Sequence, residues 1–245
     1  MLPVETQRTL QVYTTVFSPV NFITAIFVHG NLQHLVGNVV VFILVGCLTY
    51  FLNKKAERDR FLLISLLTIL FVLPLVYYPL LLLLNHLIFH LELASFGLSL
   101  TVSGLIGYII PSLTVFLGRI PDLNINQTRF FLSTVFLTGM MIAFPYIDSN
   151  FYNIAVFSAT IVLAFSVGLN EFSEILKFSR INTRNRKLAS AIFLILLLYL
   201  LLLAFLFPSE IVQSSGFVVD ILAHYFGIFF GLLVPSLIIM RVSKV

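Results

Sequence analysis

The stretch that decides the fold is GLSLTVSGLIGYIIPSLTVFL, residues 97–117, which contains no charged side chain. Its length is close to the roughly 20 apolar residues that an α-helix needs to cross about 30 Å of hydrocarbon. Ser99, Ser103 and Gly107 recur at every fourth position, so they share one face of such a helix. The stretch therefore predicts a transmembrane helix with a face of small residues.

The composition places the whole chain in the same class. Of its 245 residues, 60% are hydrophobic and only 10% are charged, whereas a soluble domain carries about 25% charged residues. The single cysteine, Cys47, permits no disulfide framework. No nucleic-acid motif is present, and we expect no nucleic-acid partner. The sequence predicts an all-α fold, a polytopic transmembrane helical bundle with about seven spans.

Seven apolar segments are long enough to be membrane spans. They cover residues 35–52, 61–84, 99–117, 130–147, 152–169, 188–207 and 218–240. Pro74 and Pro79 predict a kink in the second segment.

The loops predict which way the segments run. Lys and Arg cluster after the first, third, fifth and seventh segments, and residues 85–96, 148–151 and 208–216 contain none. Basic loops stay on the inner side of a membrane, so the odd-numbered segments run from the outer face inward. Glu171, Glu174 and the basic run that follows are expected in an inner loop. There they would determine topology, with contact to anionic lipid as a secondary role.

This orientation brings three polar side chains to a similar depth near the outer face: His34, Ser99 and His224. The last segment also has a face of small residues, formed by Ala223, Gly227 and Gly231. Small residues at every fourth position let two helices approach closely in lipid. The third and seventh segments are therefore predicted to pack in parallel, with Ser99 level with Ala223.

A serine beside a histidine indicates nucleophilic catalysis. The imidazole of His224 can take the Ser99 proton as the hydroxyl attacks an amide carbonyl, and return it to the leaving amine. His34 and Asn38 lie one turn apart on the first segment and can donate to the oxyanion. Taken alone, Ser99 is more often a packing residue, and His224 could be a solvated residue at a helix end. The hypothesis depends on the pair.

These residues resemble the motifs of the rhomboid intramembrane serine proteases. The similarity lies in three motifs that occur in the family's order: His29-x4-His34-x3-Asn38, then Gly97-x-Ser99 followed by Gly107-Tyr108, then Ala223-His224-x2-Gly227-x3-Gly231. It covers the first, second, third and seventh segments. The resemblance implies that Ser99 is the nucleophile and His224 the base. It further implies that His34 and Asn38 form the oxyanion hole, that Tyr108 lies near the dyad, and that His29 is structural.

The chain also departs from the family pattern. Leu100 follows the serine where the family usually has glycine, which bears on the oxyanion geometry. Ser103 and Gly104 offer a rival nucleophile one turn deeper, although Thr101 breaks the Gly-x-Ser-Gly pattern, and we prefer Ser99. The family's first helix is not evident, and residues 1–28 are expected to form an outer-face N-terminal segment. Residues 118–217 include an extra helix pair in what we expect to be a single rhomboid-like membrane domain, residues 1–245.

The sequence thus predicts a serine-type endopeptidase of the cell membrane that cleaves transmembrane protein substrates near the outer face. It would work in the lipid bilayer without cofactor or metal. The alternative is a catalytically inactive rhomboid-like protein that binds membrane clients. A small-solute transporter would need polar residues at the midplane and internal repeats, and neither is clear. His86 and His90, with Glu92, have a spacing that could hold a metal, but simple solvation is the preferred interpretation.

Overall fold

The structure is a computed structural model that describes residues 3–90, 94–143, 151–207 and 220–242. The N-terminal elements are short: α1 (Val4–Leu10), β1 (Val12–Tyr13) and α2 (Pro19–Thr24), which a 3₁₀ turn (Ala25–Phe27) extends. The long helices follow: α3 (Leu32–Lys55), α4 (Asp59–Leu67), α5 (Leu73–Leu84), α6 (Ser99–Leu117), α7 (Gln127–Ala143), α8 (Phe151–Ser179), α9 (Thr183–Leu206) and α10 (Ile221–Val242). Strand β2 (Ala94–Ser95) pairs antiparallel with β1, in the register Val12 to Ser95.

Six helices in the described ranges are long and apolar enough to cross a membrane, and they confirm the all-helical, multi-pass class. They are Leu32–Lys55, Asp59–Ile88, Ser99–Leu117, Phe157–Ser179, Thr183–Leu206 and Ile221–Ile238. The sequence predicted seven spans. The fourth corresponds to α7, which has 17 residues and ends at Ala143, and positions 144–147 lie outside the described residues.

The second span contains the irregularity that its prolines predicted. A π-helical turn, Thr68–Val72, joins α4 to α5, and a second one, Asn85–Phe89, follows α5. A proline ring clashes with the carbonyl four residues earlier and lacks the N–H that would bond it. The first π turn comes just before Pro74, and Pro79 lies inside α5. The helix absorbs the prolines by widening locally while the chain stays helical from Asp59 to Ile88.

The fifth span is longer than predicted, and the loop after it is shorter. Helix α8 continues to Ser179, so Glu171, Glu174 and Lys177 lie on the helix and not in a loop. Glu171 is buried, and its Oε2 accepts a hydrogen bond from the backbone N–H of Asn126 at 2.8 Å, beside the start of α7. A carboxylate at a helix N-terminus satisfies one of the donors left free there. The prediction that Glu171 lies in an inner loop was therefore wrong, because it lies on α8 and caps the start of α7.

The chain packs into two compact units. The first comprises Met1–Phe51, Arg58–Tyr108 and Val212–Val245. Its core contains the stacked rings of Phe22 and Tyr78, 5.9 Å apart, and the edge-on pair Phe61 and Tyr108, 5.5 Å apart. All the predicted site residues belong to this unit.

The second unit comprises Leu52–Glu57 and Ile109–Ile211. Hydrogen bonds between its helices satisfy several buried polar groups. Ser133 Oγ donates to the Ala164 carbonyl at 2.9 Å, and the hydroxyls of Thr138 and Tyr199 are 2.7 Å apart. Asn53 Nδ2 donates to Ser112 Oγ at 2.9 Å. Such bonds replace the water that lipid cannot supply.

Candidate active site

Ser99 is the first residue of α6, at the end of a tightly held turn. Gly97 has a φ of +106°, a backbone conformation that residues with a side chain rarely adopt. Its N–H donates to the Ala25 carbonyl at 2.8 Å. The N-terminal segment therefore fixes the chain immediately before Ser99, whose side chain is half-buried.

Ser103, the rival nucleophile, is fully buried one turn further along α6. Its hydroxyl donates to the carbonyl oxygen of Ser99 at 2.7 Å. A serine that bonds back to the preceding turn satisfies its own polar atom within the helix. This geometry favours a structural role for Ser103.

His224 lies in the first turn of α10 and is 7% exposed. The residue immediately before this helix is Asp220, whose Oδ1 accepts the backbone N–H of Ala223 at 3.0 Å. This is an N-cap: a side-chain oxygen takes a donor that the helix itself leaves unbonded. The cap fixes the turn that carries His224.

The Asp220 carboxylate also accepts hydrogen bonds from two hydroxyls elsewhere in the unit. Tyr77 donates to its two oxygens at 2.8 and 2.9 Å, and Ser95 Oγ donates to Oδ2 at 2.7 Å. Ser95 stands four residues before Ser99, as Asp220 does before His224. Sequence reasoning missed Asp220, although an aspartate just before an apolar run is a recognised N-cap signal.

Further along the two helices, glycines let α6 and α10 pack closely against each other. A Cβ added to Gly227 would lie 2.6 Å from the Leu100 carbonyl oxygen and 2.8 Å from the Ser103 Cβ. Further along, Gly231 is against the Gly104 carbonyl and Gly107 against the backbone of Ile228. Two contacts therefore bracket Ser99 and His224. The Ser95–Asp220 hydrogen bond comes before both residues in their segments, and the Leu100–Gly227 contact comes after both.

The histidines of the first motif lie beside the same turn. His29 Nε2 accepts the backbone N–H of Leu98 at 3.4 Å, and the rings of His29 and His34 are 5.5 Å apart. His34 Cε1 would lie 3.4 Å from a Cβ added to Gly97. The backbone N–H of His34 donates to Asn31 Oδ1 at 2.7 Å, so Asn31 caps the N-terminus of α3. The structure thus brings His29 and His34 next to the residues that lead into Ser99.

Burial and the neighbouring His34 lower the pKa of His29 below its ordinary value. The hydrogen bond agrees with this direction, because Nε2 can accept the Leu98 N–H only when it carries no proton. His29 is therefore favoured as the neutral imidazole, with its proton on Nδ1.

Asn38 lies one turn beyond His34 on α3. Its Nδ2 is buried and has no hydrogen-bond partner among the described residues. Buried amide donors are normally paired, because leaving one unpaired costs about 1–3 kcal/mol. An N–H group in this condition is a candidate donor for a transient oxyanion.

The structure corrects the expectation for Tyr108. Tyr108 lies nine positions beyond Ser99 on α6, a distance of about 13 Å along the axis at 1.5 Å per residue. Its fully buried ring packs against Phe61. Tyr108 is too far along the helix to support Ser99 directly, and its visible role is in the core.

The other histidines do not form a site in the part of the chain that is described. His86 and His90 are exposed after α5, and Glu92 lies outside the described residues. Across those ranges, no three metal-ligating side chains are grouped together.

The segments that carry Ser99, His224, His34 and Asn38 thus belong to one compact unit. Their residue types could supply a nucleophile, a proton acceptor and oxyanion donors. No family model, no curated protein and no solved structure matches the chain.

Proposed function

We propose that this protein is an intramembrane serine endopeptidase of the rhomboid type, which cleaves transmembrane protein substrates near the outer membrane face. The observation that supports the proposal is the bracketing of Ser99 and His224. The Ser95–Asp220 hydrogen bond precedes both residues, and the Leu100–Gly227 contact follows both. A hydroxyl and an imidazole held between two such contacts are suited to a catalytic dyad.

In the proposed reaction, His224 takes the Oγ proton while Ser99 attacks the carbonyl carbon of a substrate peptide bond. The C–N bond then breaks, and His224 returns the proton to the leaving nitrogen. Water releases the acyl group by the same two steps. The third group of a triad only orients and stabilises the imidazole, and Asp220 orients the turn that carries His224 through its N-cap.

Donors for the oxyanion come from α3 in this proposal. The buried Nδ2 of Asn38 is available, and His34 lies beside Gly97. Removing one oxyanion donor typically lowers the rate by about 10²–10³. Asn38→Ala is therefore expected to lower kcat by that factor while leaving substrate binding nearly unchanged.

One observation favours a second function, a catalytically inactive protein that binds membrane clients. Leu100 replaces the family's glycine, and its side chain is buried after Ser99 while its carbonyl packs on Gly227. A large buried side chain at this position restricts how close a substrate backbone can come to Ser99.

Cleavage of a model transmembrane substrate by the full chain in proteoliposomes separates the two functions. The protease proposal expects cleavage by the wild type and none by Ser99→Ala or His224→Ala. Ser166→Ala and His86→Ala are the matched controls, because both side chains are exposed and neither belongs to the predicted site. Cleavage that survives both dyad substitutions overturns the assignment. Binding of the substrate without cleavage by any variant supports the inactive alternative.

A further inference from the structure

Helices α7, α8 and α9 line a partly open cavity of about 250 Å³ in the second unit, with Leu197 exposed at its rim. Its walls are mainly leucine and phenylalanine side chains, including Phe172 of α8 and Phe193 and Leu200 of α9. An apolar cavity of about 150 Å³ holds a benzene molecule. This cavity is large enough for a longer stretch of hydrocarbon.

The two hydroxyl groups on the cavity wall are already bonded. Thr134 Oγ1 donates to the Phe131 carbonyl at 2.7 Å, and the Tyr199 hydroxyl is 2.7 Å from Thr138 Oγ1. A water molecule needs two to four polar partners to occupy a cavity. These walls therefore favour an apolar guest over water.

A basic cluster lies at one end of the same helices, where α8 turns into α9. Five cationic side chains lie in a window of eleven positions that contains the turn: Lys177, Arg180, Arg184, Arg186 and Lys187. Lys177 pairs with Glu174 at 2.7 Å. The three arginines and Lys187 are exposed, and none has a carboxylate partner in the described part of the chain. The turn therefore presents excess positive charge.

The cluster and the cavity share a face of α9. Phe193 lies seven residues after Arg186, and Leu197 lies four residues after Phe193. Both spacings are close to whole turns of a helix, so the three residues share one face. At 1.5 Å per residue, the cavity residues Phe193 to Leu200 lie about 10–21 Å from Arg186 along the axis. One leaflet contributes about 15 Å of hydrocarbon. An acyl tail whose phosphate is at Arg186 would reach the cavity.

We infer that the second unit binds an anionic phospholipid, with its headgroup at the basic cluster and one acyl chain in the cavity. Positive pockets at the cytoplasmic ends of membrane helices are suited to anionic headgroups, and the charge of the cluster selects against a zwitterionic lipid. The inference is independent of the proposed protease activity. Because the lipid would contact α8 and α9 at two depths, its binding would raise the stability of the folded protein.

The test is a lipid titration of the full chain in neutral detergent, read by thermal unfolding and native mass spectrometry. Dioleoyl phosphatidylglycerol is expected to raise Tm and to give a one-to-one complex. Phosphatidylcholine with the same chains should do neither. The deacylated headgroup, glycerophosphoglycerol, should have no effect at the same concentration. If the two lipids raise Tm equally, or if the headgroup alone suffices, the inference is overturned.

Variants test each half of the site. Arg184→Gln with Arg186→Gln is expected to weaken phosphatidylglycerol binding about ten- to thirtyfold, while Arg60→Gln, at the exposed start of α4, should not. Leu200→Phe fills the cavity and should weaken binding, whereas Leu194→Phe on the exposed side of α9 should not. Equal binding by Leu200→Phe and Leu194→Phe would remove the cavity from the site. If Leu200→Phe does not fold, a chain-length series from six to sixteen carbons on the wild type gives the same information, because a cavity-bound tail requires affinity to rise with length.

Discussion

Ser95 and Asp220 are joined by a 2.7 Å hydrogen bond across 125 positions of the chain. The bond ties strand β2 to the start of α10, and Tyr77 of α5 reaches the same carboxylate. One side chain thus connects three elements of the first unit, close in sequence to both Ser99 and His224.

Replacing Asp220 by alanine should destabilise the protein by about 1–3 kcal/mol, because it removes an N-cap and leaves two hydroxyls without their acceptor. Asp220→Asn should cost less, since the amide oxygen can still cap the helix. Thermal or denaturant unfolding in detergent measures both changes. The exposed Asp122→Asn is the control. An Asp220→Ala protein as stable as the wild type would contradict the structural role.

The contact between α6 and α10 predicts that Gly231→Ala is destabilising. The added methyl group would meet the Gly104 carbonyl, which is backbone and cannot rotate away. Overpacking of this kind costs about 1–3 kcal/mol. Gly46→Ala on α3 meets no atom within 4 Å and should be neutral or slightly stabilising. Unfolding of the two variants side by side tests the packing, and an equal effect would contradict it.

The turn before Ser99 predicts that Gly97→Ala lowers stability and activity together. Holding alanine at a φ of +106° costs about 1–3 kcal/mol, and relaxation of that strain would move Ser99. Gly139→Ala, on an open helical face, is the control. The measurements are the unfolding midpoint and the cleavage rate in the proteoliposome assay. A Gly97→Ala protein with wild-type values in both would show that the turn tolerates a side chain.

The environment of His29 predicts a loss of stability in acid. Its pKa in the folded protein lies below the unfolded value, so the folded state favours the neutral ring. The stabilisation that the neutral His29 ring gives to the folded state is complete above the unfolded pKa of about 6.5. It is lost as the pH falls through the lower, folded pKa, where protonated Nε2 can no longer accept the Leu98 N–H.

His29→Gln cannot titrate, so its stability should depend less on pH between 7.5 and about 4.5 than that of the wild type. Denaturant unfolding across this range measures the difference. His86→Gln, at an exposed position, should keep the wild-type dependence. Identical slopes for the wild type and His29→Gln would exclude His29 as the titrating group.

A fluorophosphonate probe distinguishes the two serines of α6. Under the proposed function it should label Ser99, which is half-buried, and spare Ser103, whose buried hydroxyl donates to the Ser99 carbonyl. Peptide mapping of the labelled protein identifies the modified residue. Label found on Ser103 would transfer the nucleophile to that position.

Much of the helical architecture could be predicted from local pattern. The predicted third segment coincides with α6, residues Ser99–Leu117, the first lies within α3, and the sixth ends one residue beyond α9. The length of an apolar run can be read from the segment alone. In lipid, a helix satisfies its backbone polar groups within that same segment. Helix α8 continues to Ser179, beyond its predicted end at residue 169. On this extension, Glu171 is buried and accepts the Asn126 N–H, a pairing that hydropathy does not register.

The candidate site could be predicted only in part. Residue types and spacing predicted Ser99, His224, His34 and Asn38 as its members, and the segments that carry them belong to one compact unit. The pattern misplaced Tyr108, because a motif gives spacing along the chain and the helix rise converts nine residues into about 13 Å. The positive φ of Gly97 and its bond to Ala25 depend on an N-terminal segment whose course no motif described.

The sequence by itself determined that this chain is a multi-pass helical protein, and it marked the residues that could carry chemistry. Only the tertiary structure decided that Asp220 would join Tyr77, Ser95 and α10, across as many as 143 positions. The physical reason is that hydrophobicity acts on each segment separately. The half-buried carboxylate of Asp220, in contrast, needs hydrogen-bond donors that packing must bring to it, and those donors come from distant parts of the chain.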